Sequence, residues 1–263
     1  SVTGVQTCAL PILRPAYLLY GSESYLRDGA LSYITSQTFG PDDFRDMNEA
    51  TFSLSSDGDV LRQAIAAAQQ LPMMAARRLV RIKGVSVSAT GRGDTITEEH
   101  ESLLRNYLDD PSPGSVVVFV ADELNGNRKI SKLLKEKCAA VEFTSLADRE
   151  LSEWILHRIN KLGSSASPQI VSEFVAQCGP DLVRLDNEIT KVATAALPST
   201  VITHDLLEQL VPTTRELDNF AFTNHMIAGR GGRALAALHK ILDDGTEPVA
   251  LLGIISYTFR RLM

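Results

Sequence analysis

The sequence predicts an α/β domain followed by all-helical segments, and three observations predict it. Residues 16 to 20 and 116 to 121 are apolar, β-branched or aromatic runs bounded by Pro and Gly, as buried strands of a parallel sheet read, and "RRLVRIKGV" at 77 to 85 is a third candidate. Helical periodicity fills the intervals between these runs, which is the pattern of an α/β layer structure. After Phe143 the strand-type runs stop and capped helical patterns take over.

Within the first domain, Leu26, Ala30, Tyr33 and Ile34 fall on one face of a helix over 24 to 38, and Val60, Leu61, Ala64, Ile65 and Ala68 on one face over 59 to 69. The stretch "SVSATGRGDTIT", 86 to 97, is rich in Gly, Ser and Thr without periodicity and reads as an exposed loop. Beyond Phe143, Leu151, Trp154, Ile155, Ile159 and Leu162 recur at helical spacing, with Gly163 as the stop. Ser167 and Pro168 open a second helix that ends at Gly179, Pro180 opens a third, and Thr203 caps a short fourth ending near Leu210. Residues 211 to 217 read as a linker, followed by amphipathic patterns over 217 to 228, 232 to 243 and 248 to 263.

Composition narrows the function classes. Of 263 residues, 44% are hydrophobic and 22% charged, near globular averages, so disordered and fibrous classes are set aside. The longest apolar run, Val116 to Ala121, is strand-sized and far short of the roughly 18 residues of a membrane span. Cys8, Cys138 and Cys178 are widely spaced, which suits a reducing cytosol and neither a disulfide framework nor a zinc ribbon. A net charge of -6 removes the overall basic footprint of a self-sufficient DNA binder. Residues 1 to 13 lack a secretory n-region, form no periodic element and resemble translated library-adapter sequence; they are expected to be foreign to the fold.

The stretch "PAYLLYGSESYLRDGAL" has the strand, turn and helix layout of a phosphate-binding loop. A Walker A loop, Gly-x-x-x-x-Gly-Lys-Ser/Thr, uses glycines so that backbone amides wrap the phosphates, Lys to meet the terminal phosphates, and a hydroxyl to hold magnesium. Counted from Gly21, the last three of those places hold Leu26, Arg27 and Asp28. Leu26 adds bulk where backbone must approach, and Asp28 adds an anion where phosphate oxygens would lie. A plain turn with Ser22 or Ser24 as N-cap is expected, not an ATP site. Asp122 and Glu123, at the end of "VVVFVADE", resemble an ATPase acid pair but read as a polar strand end, since no phosphate loop supplies a nucleotide.

The histidines at 100, 157, 204, 225 and 239 show no metal spacing and read as solvated or packed. "NRKISKLLKEKC" sets Arg128, Lys129, Lys132, Lys135 and Lys137 around an apolar edge of Ile130, Leu133 and Leu134. Such a helix presents a solvated basic face; Arg128, Lys129, Lys132 and Lys135 are also candidate contacts to phosphate or an acidic partner. In "QQLPMMAARRL", Pro72 breaks the chain before Met73 and Met74. Adjacent Met residues at a helix-to-strand junction either cover the sheet edge, which is the default, or fill another protein's hydrophobic pocket.

Taken in order, "AYLLYGSESYLRDGAL", "LPMMAARRLVRIKG", "LSEWILHRINKLG", "CGPDLVRLDNEITKV" and the block from Glu216 to Met263 resemble one family: the delta subunit of the bacterial DNA polymerase III clamp loader. The resemblance runs from about residue 14 to the end. It implies an AAA+-like parallel-sheet domain over 14 to 143 without a functional P-loop, a small helical lid domain over 144 to 212, and a partial helical collar domain over 213 to 263. It further implies a clamp-binding element at Leu71, Met73 and Met74, in a place where relatives commonly carry Leu or Phe. The partners it implies are the sliding clamp (beta subunit), the gamma/tau and delta prime subunits through the collar, and primed DNA within the complex. The implied protein is cytoplasmic, holds no cofactor or metal, touches no membrane and has no activity of its own; it is a component of a DNA-directed DNA polymerase, a nucleotidyltransferase. Two other readings remain on the residues themselves, a divergent AAA+ ATPase using Asp122 and Glu123 and a DNA-binding subunit centred on 127 to 137. Because the collar match is incomplete, weak assembly with the other subunits is expected.

Overall fold

The computed structural model describes residues 13–55, 59–211, 222–223, 226, 230–243, 251–252 and 256, and the chain divides into two compact units, 1–145 and 146–263. In the first unit five strands, β1 (Ala16–Tyr20), β2 (Glu49–Ser53), β3 (Arg78–Val87), β4 (Ser115–Leu124) and β5 (Ala139–Glu142), form one sheet in the order β2-β3-β4-β1-β5. Every pairing is parallel, with Ala16 opposite Val117 and Leu19 opposite Val141. The helices that connect them are α1 (Ser24–Thr38), the single turn α2 (Arg45–Asn48), α3 (Asp59–Ala68), α4 (Glu101–Asp109) and α5 (Lys129–Lys137).

Alternation along the central strands decides which helix covers which face. Leu18, Val80, Ile82, Val117 and Phe119 point to one face, where Leu61 and Ile65 of α3, Leu104 of α4 and Leu133 of α5 pack on them. Tyr17, Leu19, Leu79, Val116 and Val118 point to the other, against Ala30, Leu31 and Ile34 of α1. All five residues of β1 are therefore buried, as a strand covered on both sides requires. At ~1.5–3 kcal/mol for each large side chain withdrawn from water, these two layers are the main favourable term holding the sheet.

The three expected strands and the helices over 24 to 38 and 59 to 69 are present. Edge strands β2, "EATFS", and β5, "AAVE", carry no apolar run because each buries little, and α4 was likewise not foreseen. Three details differ from expectation. The α1 N-cap is Glu23, without a side-chain cap bond, and not Ser22 or Ser24. Asp181 caps the helix after Pro180, its carboxylate accepting from the Arg184 N–H at 3.1 Å. The stretch 86 to 97 is not simply an exposed loop: Ile96 is fully buried, and the buried Asp94 accepts from the Ser88 N–H at 2.7 Å and pairs with Arg128 at 3.3 Å.

In the second unit, α6 (Asp148–Lys161), α7 (Pro168–Cys178), α8 (Leu182–Ala195) and α9 (His204–Leu210) form a bundle around Leu151, Ile155, Ile159, Phe174, Leu185 and Ile189. Ser167 caps α7 by accepting from the Ile170 N–H at 3.3 Å, and Gly179 ends it at φ 73°, a conformation that suits glycine. Arg158 of α6 and Asp186 of α8 form an ion pair across the bundle. A further helix, α10 (Gly231–Asp243), clusters Ala234 and Ile241 with Phe222 and Leu251. The expected linker and the patterns over 217 to 228 and 248 to 263 lie largely outside the described residues, as do residues 1 to 12 of the segment 1 to 13 expected to be foreign to the fold; Leu13, the last of that segment, packs against the α1 face of the sheet.

Candidate functional site

In an open parallel sheet the ligand crevice lies beyond the carboxyl ends of the strands, where the strand order reverses. Here that place is β1, flanked by β4 and β5, and it leads into the Gly21 turn. The crevice is filled from within. Arg27, 7% exposed, sends its guanidinium back over the turn, where Nη1 donates to the Gly21 carbonyl at 2.7 Å and the Ala121 carbonyl at 3.0 Å, and Nη2 pairs with Asp122. The turn's own amides are engaged as well, Gly21 N–H donating to the Ala121 carbonyl at 3.2 Å and Glu23 N–H to the Phe143 carbonyl at 3.1 Å. A side chain at Gly21 would place its Cβ 2.2 Å from the Phe143 oxygen, at φ 120°.

A phosphate cradle needs several free amides converging on one point. This turn gives the Gly21 and Glu23 amides to neighbouring strand ends and places a guanidinium where the anion would go. Asp122, whose side chain is 82% exposed, pairs with that guanidinium. Leu26 is half-buried against the α1 face of the sheet, and Asp28 is exposed.

At the amino ends of the strands the surface is of another kind. Leu71, Met73 and Met74 are 80%, 59% and 73% exposed, so sheet cover, the default reading of the Met pair, is overturned. The cause is in the backbone. Pro72 packs where a Cβ on Gly114, at the entry to β4, would meet its ring at 3.1 Å, and Met74 turns at φ 52°. The left-handed turn costs a non-glycine residue ~1–2 kcal/mol, a cost the surrounding structure must offset.

Asn48, wholly buried at the end of α2, holds this turn. Its Nδ2 donates to the Met73 carbonyl at 2.6 Å and the Phe44 carbonyl at 2.8 Å, while its Oδ1 accepts from the Met73 N–H at 2.7 Å. Phe44 and Met47, 51% and 56% exposed, therefore lie on a segment tied to the junction. The sequence signal for them was two large apolar residues in the acidic stretch "PDDFRDMNE"; it shows neither their exposure nor their neighbours.

The basic helix α5 keeps Ile130, Leu133 and Leu134 buried. Its charges divide. Arg128 pairs with Asp94, Lys135 lies 4.4 Å from the centroid of the Tyr20 ring, and Lys137 pairs with Asp109 at 2.8 Å. Lys129 and Lys132 stand exposed, with no ion pair among the described residues. Cys138 and Cys178 are free and buried, and burial pushes their thiols up to about 12 and about 11, which makes both poor nucleophiles. The Glu173 carboxylate, 2.8 Å from the His204 ring, raises that imidazole's pKa on the surface of the helical unit. Among the described residues no cluster of His, Cys, Asp or Glu is placed to hold a metal, and no helix is long and apolar enough to cross a membrane.

Three similarities bear on this arrangement. The family described as DNA polymerase III, delta subunit, matches residues 17–144. The DNA polymerase III subunit delta of Bacillus subtilis is 27% identical over 253 residues, covering 95% of this chain and 72% of that protein. The solved structure of the Bacillus subtilis DNA clamp loader delta protein superposes with a TM-score of 0.70 at 27% identity, over 94% of this chain and 73% of that one.

Proposed function

We propose that this chain, similar over residues 17–144 to the DNA polymerase III delta-subunit family and 27% identical to its Bacillus subtilis member, is such a subunit, that it grips the sliding clamp through Leu71, Met73 and Met74, and that it favours the open ring during replication. The observation that supports this most is the exposure of those three side chains on a pinned turn, at 80%, 59% and 73%. Water gains nothing from such a surface, whereas a hydrophobic pocket on the clamp would, and desolvated anchors at the centre of an interface are worth ~2 kcal/mol or more each.

Ring opening follows from differential affinity. A subunit that binds the open clamp better than the closed one shifts the ring by that preference and by no more. The subunit hydrolyses no ATP, its Arg27-filled turn having no room for phosphate; hydrolysis belongs to neighbouring subunits, and the polymerase and nucleotidyltransferase labels belong to the holoenzyme. Residues 144 to 212 serve as the lid and 213 to 263 as part of the collar that meets gamma/tau and delta prime in the cytoplasm. Primed DNA is met as part of that complex, with Lys129 and Lys132 as the exposed α5 cations available to phosphate.

The test is surface plasmon resonance against a purified bacterial sliding clamp. Met73→Ala with Met74→Ala is expected to abolish capture while circular dichroism stays that of the parent; unchanged affinity would sink the reading.

A further inference from the structure

Among the described residues of the first unit, the large exposed apolar side chains are Phe44, Met47, Leu71, Met73 and Met74. They come from two segments far apart in sequence that meet at one buried side chain, Asn48, which bonds the Phe44 carbonyl and both backbone groups of Met73. The carboxamide offers Met73 the donor and acceptor that a neighbouring strand would offer. The α2 end is itself braced, since Glu49 pairs with Arg45 and, at 2.6 Å, with Arg81 of β3.

We propose that the clamp contact is bipartite: Phe44 and Met47 are its second half, and Asn48 is a positioning residue that holds the Met73–Met74 turn beside them. The proposal rests on the reading of Leu71, Met73 and Met74 as the clamp grip. Continuity selects the occupant, because a protein seated on Met73 also reaches the segment joined to it through Asn48. An anionic lipid surface is disfavoured by Asp42, Asp43, Asp46 and Glu49, which outnumber Arg45 in this stretch. Energetically, the added side chains widen the dry centre of the patch, while polar α2 residues such as Arg45 and Asp46 supply a rim that excludes water. Asn48 removes the cost of ordering the turn at the moment of binding.

The experiment uses the full chain and the purified sliding clamp of Bacillus subtilis. Phe44→Ser with Met47→Ser is expected to weaken binding about tenfold or more, chiefly by faster dissociation, with the thermal midpoint unchanged because both residues are exposed. Asn48→Ala is expected to weaken binding about tenfold in the parent chain but less than about threefold in a Met74→Ala chain, since the turn it positions has lost its anchor. A residue needed only for folding would show the same loss in both backgrounds.

Binding of the Phe44/Met47 variant within about twofold of the parent, or an equal Asn48→Ala loss in both chains, overturns the proposal. The clamp-grip reading would then still stand if Met73→Ala with Met74→Ala abolishes capture, and would fall if that pair binds as the parent does. A parent dimer that dissociates on Phe44→Ser with Met47→Ser, with clamp binding unchanged, would assign the second segment to self-association and also overturn the proposal.

Discussion

At the carboxyl ends of the strands, the β1–α1 turn folds Arg27 onto the Gly21 and Ala121 carbonyls and engages the Gly21 and Glu23 amides, leaving little polar valence for a ligand. At the amino ends, the α3–β3 junction and α2 do the reverse, leaving apolar side chains in water while Asn48 holds the backbone behind them. The difference teaches that closing a polar crevice and keeping an apolar patch exposed, as the proposed grip requires, need different devices. A polar crevice closes when its own groups satisfy one another, here a guanidinium on the carbonyls and the strand-end carbonyls on the turn's amides. An apolar grip does not stay open unaided, because exposed Met and Leu gain by collapsing onto any nearby surface; only a pinned backbone prevents it.

The strongest way to break this comparison is at Gly21. Gly21→Ala puts a methyl 2.2 Å from a backbone oxygen that no side-chain rotation can move, so we expect a loss on the order of 3 kcal/mol or more in denaturant unfolding. If the turn were an adaptable ligand loop, it would absorb the methyl and the loss would be slight.

Next in size is Arg27→Ala. Leaving the Gly21 and Ala121 carbonyls without their donor is expected to cost about 2 kcal/mol of stability. Clamp affinity should remain at the parent value, since the proposed grip is at the opposite ends of the strands, and calorimetry should detect no ATP binding, since the amides remain engaged. A gain of ATP binding would mean that Arg27 alone closes the crevice.

The smallest effect sharpens the other side. Met74→Gly relieves the turn at φ 52° and is expected to raise stability by roughly 0.5–1 kcal/mol while lowering clamp affinity. Opposite signs in one substitution would separate the strain of the grip from its use. A fall in stability would show that the Met74 side chain packs on its own domain.

Much of the frame was legible in order. Runs such as "AYLLY" and "VVVFVA" read as buried strands because a parallel strand covered on both faces has only apolar positions to offer. The edge strands were not legible, since Glu49–Ser53 and Ala139–Glu142 pair through backbone and bury few side chains. At the phosphate-type turn, counting to Leu26, Arg27 and Asp28 gave the loss of the anion site, but not that Arg27 would turn back to fill it. The Met pair was visible as an oddity, and its residue types leaned the wrong way, toward sheet cover.

Sequence by itself determined the layers of the first unit and the helical character of the second, because periodicity and caps are local and each residue carries its own preference. It also determined that a Walker loop's Gly, Lys and hydroxyl are missing after Gly21. Tertiary structure decided what those places became. Asn48 stands 25 positions from Met73, and Arg27 stands 95 from Asp122. That both Met side chains face water, and which guanidinium occupies a crevice, depends on hydrogen bonds across such distances, and no local pattern encodes a partner that only the closed sheet brings near.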